Sequence, residues 1–548
     1  MSRPDADCPD ALVSAADLAD RIERLRALFP QAVGERLVEG RTLASVDLAQ
    51  LRRLLGPHAA DGEADGFGLH WPQRAAAAAQ IASPPAGRLQ RCPGAGLDEA
   101  TTRNGFIEGD NLDVLKLLQT GYAGRVKLAY LDPPYNTGRD FIYADRHGGV
   151  RRGAPDADRT RRHGDWLSRM YPRLALIRTL LADDGLLAIH IDEHEQPALT
   201  LLLRELFGEA NELGIAVWDK RNPKGDARGI AYQHESLLLY ARDAATLLAR
   251  QPLRRPKRHA QQMLAAARTA LAASPTLEEA RSRYRAWLKS QPQLSGGEAM
   301  YWRLSADGRV YRLVSMAWPN KQAPSAEYFE PLIHPQTGRP CPVPVRGWRN
   351  PPETMRRLLD TGRIEFGPDE SVQPQRIYYL DENLYENVPS ILPYGGSDDA
   401  LLRTLGIPFD QPKPVDFVAA VIGWCTGGDD LVLDCWAGSG TTAHAVMKLN
   451  AGDGGRRRFL LVQRPEPLDP RKSGQRAAFA FCEQHGLAPD LAGLCRERLR
   501  RTAALLRAEF PDWDGDAGFR VWRCAETPAD GSGTTAHAVM KLNAGDGG

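Results

Sequence analysis

At 548 residues, with 43% hydrophobic and 25% charged side chains, the chain has the composition of a soluble globular protein of two or three domains. No stretch approaches the roughly 18 apolar residues of a membrane span, which argues against a membrane role. A net charge of +1 provides no overall attraction to polyanions, so any phosphate contact depends on local patches.

The polar, acidic opening Met1–Asp7 has no signal-peptide core, and the eight cysteines lack paired or metal-ligand spacing. Both point to a reduced, cytoplasmic protein with no metal. Residues 1–100 read as an N-terminal helical region and connector, with helical patterning over Leu18–Leu28 and Leu43–Leu55. A Gly/Ala/Pro-rich stretch to about Gly96 follows as an irregular connector, in which Ala75–Ala79 reflects composition. Residues 101–243 alternate strand and helix: strand Val126–Leu131, helix Trp166–Leu181, strand Gly185–Ile191. That alternation predicts an α/β fold on a mostly parallel sheet. Residues 244–400 break the rhythm, with Arg/Ala-rich helices (Pro256–Ala272, Thr276–Lys289) and then a Pro/Gly/Trp-rich region through Pro352. Residues 401–523 restore it with Lys413–Leu433, strand Arg456–Gln463 and helix Leu487–Phe510. In the tail, 524–548, the segment Gly438–Gly455 recurs unchanged as Gly531–Gly548. The copy follows Glu526–Asp530 instead of an apolar strand, so no sheet edge aims it at a ligand, and it reads as an aberrant duplication.

The most informative residues are Asp132, Pro133, Pro134 and Tyr135, directly behind the strand Val126–Leu131. Two prolines after a strand-ending carboxylate make a rigid turn that cannot relax into helix. Asp132 and the Pro133 carbonyl can accept the two N–H groups of an exocyclic amine, while Tyr135 stacks on its ring. A plain strand-ending turn with a solvated aspartate is the competing reading. The second signal is the run from Asp430 to Thr442 (DLVLDCWAGSGTT), a buried strand, a glycine turn and a helix start. Gly438 and Gly440 permit close backbone approach to a ligand, and Thr441 and Thr442 can cap the helix through Leu449. Strand, glycine turn and helix N-terminus form the nucleotide-cofactor crevice of a doubly wound sheet. Neither a dinucleotide fingerprint nor a Walker loop is present.

Together the two motifs resemble the amino-methylating DNA methyltransferases that use S-adenosylmethionine. The catalytic turn precedes the glycine turn by 434 − 132 = 302 residues. That permuted order is what the β group of this family shows, with a target-recognition region inserted between the motifs. The resemblance extends from about residue 25 to about residue 523 through Phe106–Leu112, Asn222–Asp226, Gln233–Glu235, His334–Arg349, Tyr394–Asp399 and Lys413–Asp416. It is to the modification subunit of type III restriction-modification systems. The resemblance implies a Rossmann-like methyltransferase sheet, with 101–243 as catalytic half, 244–400 as target-recognition insert, and 401–523 as cofactor half with a C-terminal helix. It implies methyl transfer to N6 of adenine in double-stranded DNA, a homodimer, and association with a helicase-nuclease restriction subunit.

The base must flip out of the duplex, at a few kcal/mol. Hydrogen bonds from N6 to Asp132 and the Pro133 carbonyl then aim its lone pair at the donor methyl. The resemblance also implies that Asp434 and Thr441 hold the amino-acid end of the cofactor, with Lys413 nearby and Asp110 on the adenosine side. Trp436 is placed to pack against it. Where a ribose-binding acid belongs, the chain has Gln463, with Glu466 beyond. Trp166, Asp192 and His234 read as pocket walls or structure. Basic patches for DNA are Arg151, Arg152, Arg159, Arg161 and Arg162, beside the catalytic turn, and Arg254–Arg258. The rival readings are cytosine-N4 methylation, which aspartate instead of serine at 132 disfavours, a catalytically dead DNA-binding remnant, and protein or RNA methylation.

Overall fold

The strand Val126–Leu131 forms as predicted, and its side chains alternate between two cores. Leu128 and Tyr130 face one, while Val126, Ala129 and Leu131 face the other. A strand buried on both faces needs helices on both, which is the layering of a doubly wound sheet. The computed structural model describes residues 15–38, 41–47, 50, 51, 54, 68–138, 156–221, 229–250, 253–320, 322 and 324–526. Outside them lie Asn222–Asp226, Arg151 and Arg152, the side chain of Arg159, and the duplicated tail.

The chain divides into two compact units, 1–68 and 69–548. The first contains helix Ala15–Leu28 and a hairpin of Val33–Val38 with Arg41–Val46. The helical pattern expected from Leu43 is therefore wrong at its start. The β-branched Val33, Val38, Thr42 and Val46 favour extended backbone over helix.

The second unit is built on a ten-stranded sheet. In spatial order its strands are Ile391–Pro393, Glu212–Asp219, His234–Ala241, Leu181–Ile191, Val126–Leu131, Leu431–Asp434, Arg458–Gln463, Gly105–Glu108, Arg520–Glu526 and Gly87–Arg91. All run parallel except His234–Ala241 and Gly87–Arg91. One face packs helices Val415–Cys425, Thr441–Asp453 and Leu491–Glu509; the other packs Asn111–Tyr122, Asp156–Leu180 and Gln196–Phe207. The fold is thus the Rossmann-like α/β class expected.

Two further expectations need correction. The stretch before Gly96 is not an irregular connector: it contains helix Arg74–Ala82 and the edge strand Gly87–Arg91. Alanine is the best helix former, so the alanine run folds as its composition dictates. The edge strand buries one large apolar side chain, Leu89, too little for a periodic signal. Segment 244–400 also gives a strand, Ile391–Pro393, to the main sheet. The rest of that segment has its own four-stranded sheet, Arg303–Leu304, Val310–Val314, Gln375–Tyr379 and Ile364–Glu365. Helices Ala260–Ala272 and Leu277–Lys289 pack on a core that includes Met263, Tyr284 and Leu304. Its entry and exit are stitched together where Arg254–Pro256 pairs with Tyr385–Asn387. Among the described residues, no helix is long and apolar enough to cross a membrane.

Asn104, buried at the base of the sheet, ties neighbouring strands through its carboxamide. Its Nδ2 donates to the Gly518 carbonyl (3.0 Å) and its Oδ1 accepts from the Phe459 N–H (3.0 Å). Asn104→Ala would leave both backbone groups unpaired in the core, at about 2–3 kcal/mol. The expected result is a lower urea midpoint with an unchanged slope, and an unaltered midpoint would refute the role.

Candidate active site

Strands Val126–Leu131 and Leu431–Asp434 are hydrogen-bonded neighbours, with Leu128 opposite Val432 and Ala129 opposite Leu433. The chain continues outward from the first to Leu181–Ile191 and from the second, in the opposite direction, to Arg458–Gln463. Their shared boundary is the topological switch point, where α/β sheets open a ligand crevice at the strands' carboxyl ends. Asp132 and Asp434 stand at those two ends. The 302 residues between the motifs are thereby closed to adjacent strands.

The Asp132–Tyr135 turn is braced from several elements. Trp166, 1% exposed on helix Asp156–Leu180, donates its indole N–H to the Pro134 carbonyl (2.8 Å). Asn136 follows with a left-handed backbone (φ 61°), and its Nδ2 donates to Glu195 Oε1 (2.5 Å). Fully buried Glu195 also holds His163 Nδ1 at 2.7 Å. The Tyr135 hydroxyl lies 2.8 Å from Asp132 Oδ1 and 3.0 Å from Glu235 Oε2.

Lys413 completes this cluster from the other half of the chain. Its ammonium donates to the Tyr135 hydroxyl (2.8 Å) and Glu235 Oε2 (2.9 Å), and lies 3.1 Å from Asp132 Oδ1. In the structure the ammonium of Lys413, which the resemblance puts near the cofactor's amino-acid end, sits on the Asp132–Tyr135 turn. Burial opposes its charge, but Asp132 and Glu235 outweigh this and raise its pKa. Burial would likewise raise the Glu235 carboxyl, yet Lys413 and Lys220 hold it well below the ordinary range. Lys220 donates to Glu235 Oε1 at 2.7 Å.

The glycine turn handles its charges differently. Asp434, 3% exposed, accepts from the Trp436 N–H (2.9 Å) and the Thr442 hydroxyl (2.6 Å). Burial nevertheless pushes its carboxyl up to about 7. The expected threonine capping does not occur: Gly440 is the N-cap, with no side-chain cap bond. Thr442 is spent on Asp434, and Thr441 accepts from Arg498 Nη1 (3.0 Å). Gly440 has φ +91°, and a Cβ there would press on Cys495 Sγ at 3.0 Å. Gly438 (φ +54°) donates its N–H to Gln463 Oε1 (2.8 Å), so Gln463 shapes the turn. Trp436 is partly exposed against the core. Asp110 caps helix Asn111–Tyr122 by accepting from the Leu112 N–H (2.9 Å) and pairs with Arg173 (3.2 Å). Next to it, Asn111 Nδ2 donates to the Cys435 carbonyl (3.0 Å), which ties this helix start to the glycine turn.

Among the remaining residues, Asp192 holds His194 (3.0 Å), and His234 is exposed at a strand start. Of the second basic patch, Arg255 is paired with Glu386 (2.7 Å) and Lys257 with the Tyr385 carbonyl (3.1 Å), leaving Arg254 and Arg258 exposed. Glu235, Lys220 and Arg498 were not anticipated. Glu235 lies inside the quoted Gln233–Glu235 run, directly before an apolar strand, a weak signal. Arg498 sits in an arginine-rich helix, where nothing in the sequence separates it from its surface neighbours.

The Asp434 carboxyl generates a stability prediction. Its folded-state value of about 7 exceeds the ordinary 3.8, so the native state holds the proton longer than the unfolded chain. The penalty of burying the charge is absent below about pH 4, grows up to about pH 7, and is complete above. Asp434→Asn escapes this penalty, apart from a constant offset for the altered hydrogen bonds. Its urea midpoint relative to wild type should therefore climb between those pH values and then level off; a pH-independent difference would contradict the assignment.

Comparison with known proteins agrees with this geometry. The profile of a family described as DNA methylase matches residues 126–452. The chain is 31% identical over 452 residues to the Mod subunit of the type III restriction-modification enzyme StyLTI of Salmonella typhimurium, covering 78% of this chain and 61% of that one. It is also 31% identical over 445 residues to the EcoP15I Mod subunit of Escherichia coli, covering 76% and 64%. The chain thus spans about six-tenths of the length of these relatives. Among solved structures, the cytosine-N4-specific PvuII DNA methyltransferase aligns with a TM-score of 0.32 at 11% identity, covering 70% of this chain and 92% of that one. With a family profile spanning both strand-end motifs, the chain belongs to the DNA methylase family.

Proposed function

We propose that the protein is a site-specific DNA methyltransferase that uses S-adenosylmethionine to methylate N6 of a flipped adenine, as the modification component of a type III restriction-modification system. The observation that carries this reading is the adjacency of the Asp132 turn and the Asp434–Gly440 turn at neighbouring strand ends. The names of the two relatives, both type III Mod subunits, support the assignment to such a system. We further propose, from the resemblance of the motifs to such subunits, that the protein forms a homodimer and associates with a restriction subunit. Residues 244–400 serve target recognition, between a catalytic half, 101–243, and a cofactor half, 401–523.

The residues present suit the donor. Gly438 and Gly440 keep side chains out of the crevice, and Asp434 offers a buried carboxyl beside it. Asp434 and Thr441 bind the amino-acid end, Trp436 packs against the donor, and Asp110 reaches the adenosine side. When bound, S-adenosylmethionine supplies an electrophilic methyl group on a sulfonium. Asp132 and the Pro133 carbonyl accept the two N6 hydrogens and turn the amine lone pair toward that methyl. Tyr135 stacks on the everted ring. Alignment of this kind supplies on the order of 7–11 kcal/mol in favourable cases. As the N6–methyl bond forms, the sulfonium–methyl bond would break and leave a neutral thioether holding the electron pair. Asp132, hydrogen-bonded to N6, accepts the proton that the nitrogen loses and passes it to solvent, and no covalent enzyme intermediate is needed.

Two substitutions separate the halves. Asp132→Ala should lower methyl transfer to duplex DNA by ~1,000-fold or more with donor affinity nearly unchanged. Gly438→Val forces a branched residue into a left-handed backbone, a strain of about 1–3 kcal/mol, so donor affinity should fall roughly 10- to 100-fold. Radiolabelled transfer, equilibrium binding and a nucleoside digest measure these effects. Full turnover by the Asp132 variant would sink the catalytic assignment, and N4-methylcytosine in the digest would redirect it to the cytosine reading.

A further inference from the structure

The Lys413 ammonium lies between two carboxylates, 3.1 Å from Asp132 Oδ1 and 2.9 Å from Glu235 Oε2. The Tyr135 hydroxyl accepts from Lys413 and lies within reach of the same two carboxylates, 2.8 Å from one and 3.0 Å from the other. A hydroxyl has one hydrogen, so it donates to one of them at a time. Two donors therefore each have two seats, at Asp132 and at Glu235. Both contacts on Asp132 fall on the same atom, Oδ1, of a side chain that remains 32% exposed. Glu235, by contrast, is only 8% exposed and offers no access to a ligand. Its other oxygen is held by Lys220 at 2.7 Å, which anchors it in place.

Asp132 Oδ2 carries neither of these contacts, but the ammonium and the hydroxyl draw the charge of the shared carboxylate toward Oδ1 and weaken it as an acceptor for a further donor. A charged hydrogen bond is roughly twice as strong as a neutral one, so Asp132 accepts from an incoming N–H most strongly once Lys413 has another partner. We propose that Glu235 is a positioning residue that takes over the Lys413 ammonium and the Tyr135 hydrogen when an amine enters, freeing Asp132 to accept from it. The inference rests on the amine-methylating reading of this pocket. The exchange conserves charge, because two carboxylates and two ammoniums balance before and after. The groups facing Lys413 are Asp132 and Tyr135 from the turn, Glu235 from strand His234–Ala241, Lys220 from the end of Glu212–Asp219, and His190 from Leu181–Ile191. Burial pushes His190 down to about 4, so it stays neutral. The next carboxyl along the sheet, Asp434, belongs to the glycine turn.

The test is Glu235→Gln, close to isosteric, assayed for methyl transfer to duplex DNA across pH alongside wild type. Near neutral pH its kcat should fall about 100-fold, because Lys413 and Tyr135 are left with Asp132 alone. Donor affinity should stay within about threefold. With one carboxylate gone, the Lys413 pKa falls toward the ordinary value of about 10.4, so log kcat should rise between about pH 8 and 10 with a slope approaching one. Wild type should lack that limb, since Lys413 stays charged there. Glu235→Asp keeps the charge on a shorter arm; it should give an intermediate kcat, and it carries the test if the glutamine variant does not fold. Wild-type kcat in Glu235→Gln, or a reduced kcat with a flat pH profile, overturns the proposal while leaving the methyltransferase reading intact. A wild type that transfers no methyl group to DNA overturns that reading and this one with it.

Discussion

The pairing of Val126–Leu131 with Leu431–Asp434 is the constraint on which the site depends. Both strands are apolar apart from Lys127 and Asp434, and both are buried from each face, so they are stable only inside the sheet. Their adjacency places a carboxylate at each carboxyl end, side by side at the switch point. The closure of a 300-residue loop is less of an obstacle than it sounds, because its entropic cost grows only with the logarithm of length. Much of that loop also closes on itself, with Arg254–Pro256 and Tyr385–Asn387 paired at its neck. Sheet pairing depends on spatial order, not chain order. A permuted arrangement of the two motifs therefore builds the same crevice as an unpermuted one.

The two halves of the site manage buried charge in opposite ways. At the Asp132–Tyr135 turn the charges of one cluster balance: Asp132 and Glu235 against Lys413 and Lys220. Around the glycine turn buried groups lack a counter-charge instead. Burial lifts Asp434 to about 7 and lowers Arg498 to about 10, which leaves the guanidinium charged at neutral pH although its Nε and Nη2 have no partner among the described residues. Both solutions cost stability, since buried ions seldom recover their full desolvation energy. The difference suits the division of labour proposed for the two turns: a fixed negative acceptor where an amine is aimed, and groups without counter-charges where a charged ligand can supply them.

The sheet was legible in the sequence because strands buried on both faces are near-continuous apolar runs bounded by turn residues, as at Val126–Leu131, which Lys127 alone interrupts, and at Leu431–Leu433. The motif turns were legible because proline and glycine have few other uses after a strand. What escaped notice lacks a local signature. The edge strand Gly87–Arg91 buries too little to show a period. The hairpin at Val33–Val46 was masked by leucines that also fit a helix. Thr441 and Thr442 satisfy every local rule for capping, yet tertiary partners, Arg498 and Asp434, claim them. Glu235 and Lys220 acquire their role only through Lys413, nearly two hundred residues away, and no pattern along the chain encodes that meeting.

The catalytic turn is held by contacts that do not involve a ligand. The Trp166 indole fixes Pro134, Glu195 fixes Asn136, and Lys413 with Glu235 fixes Tyr135, each from a different part of the sheet or its helices. Proline removes the remaining backbone freedom between them. On the proposed reading, amine methylation needs no covalent help, so its rate depends on how narrowly the acceptor geometry is set before the base arrives. A turn held on three sides loses little entropy when the amine binds. The contacts with a second partner in reach are Lys413 and the Tyr135 hydroxyl on Asp132 Oδ1, since both also reach Glu235. On the proposed reading, rigidity in the backbone and mobility in these hydrogens are complementary requirements of the same chemistry, with Glu235 receiving the hydrogens while the turn stays in place.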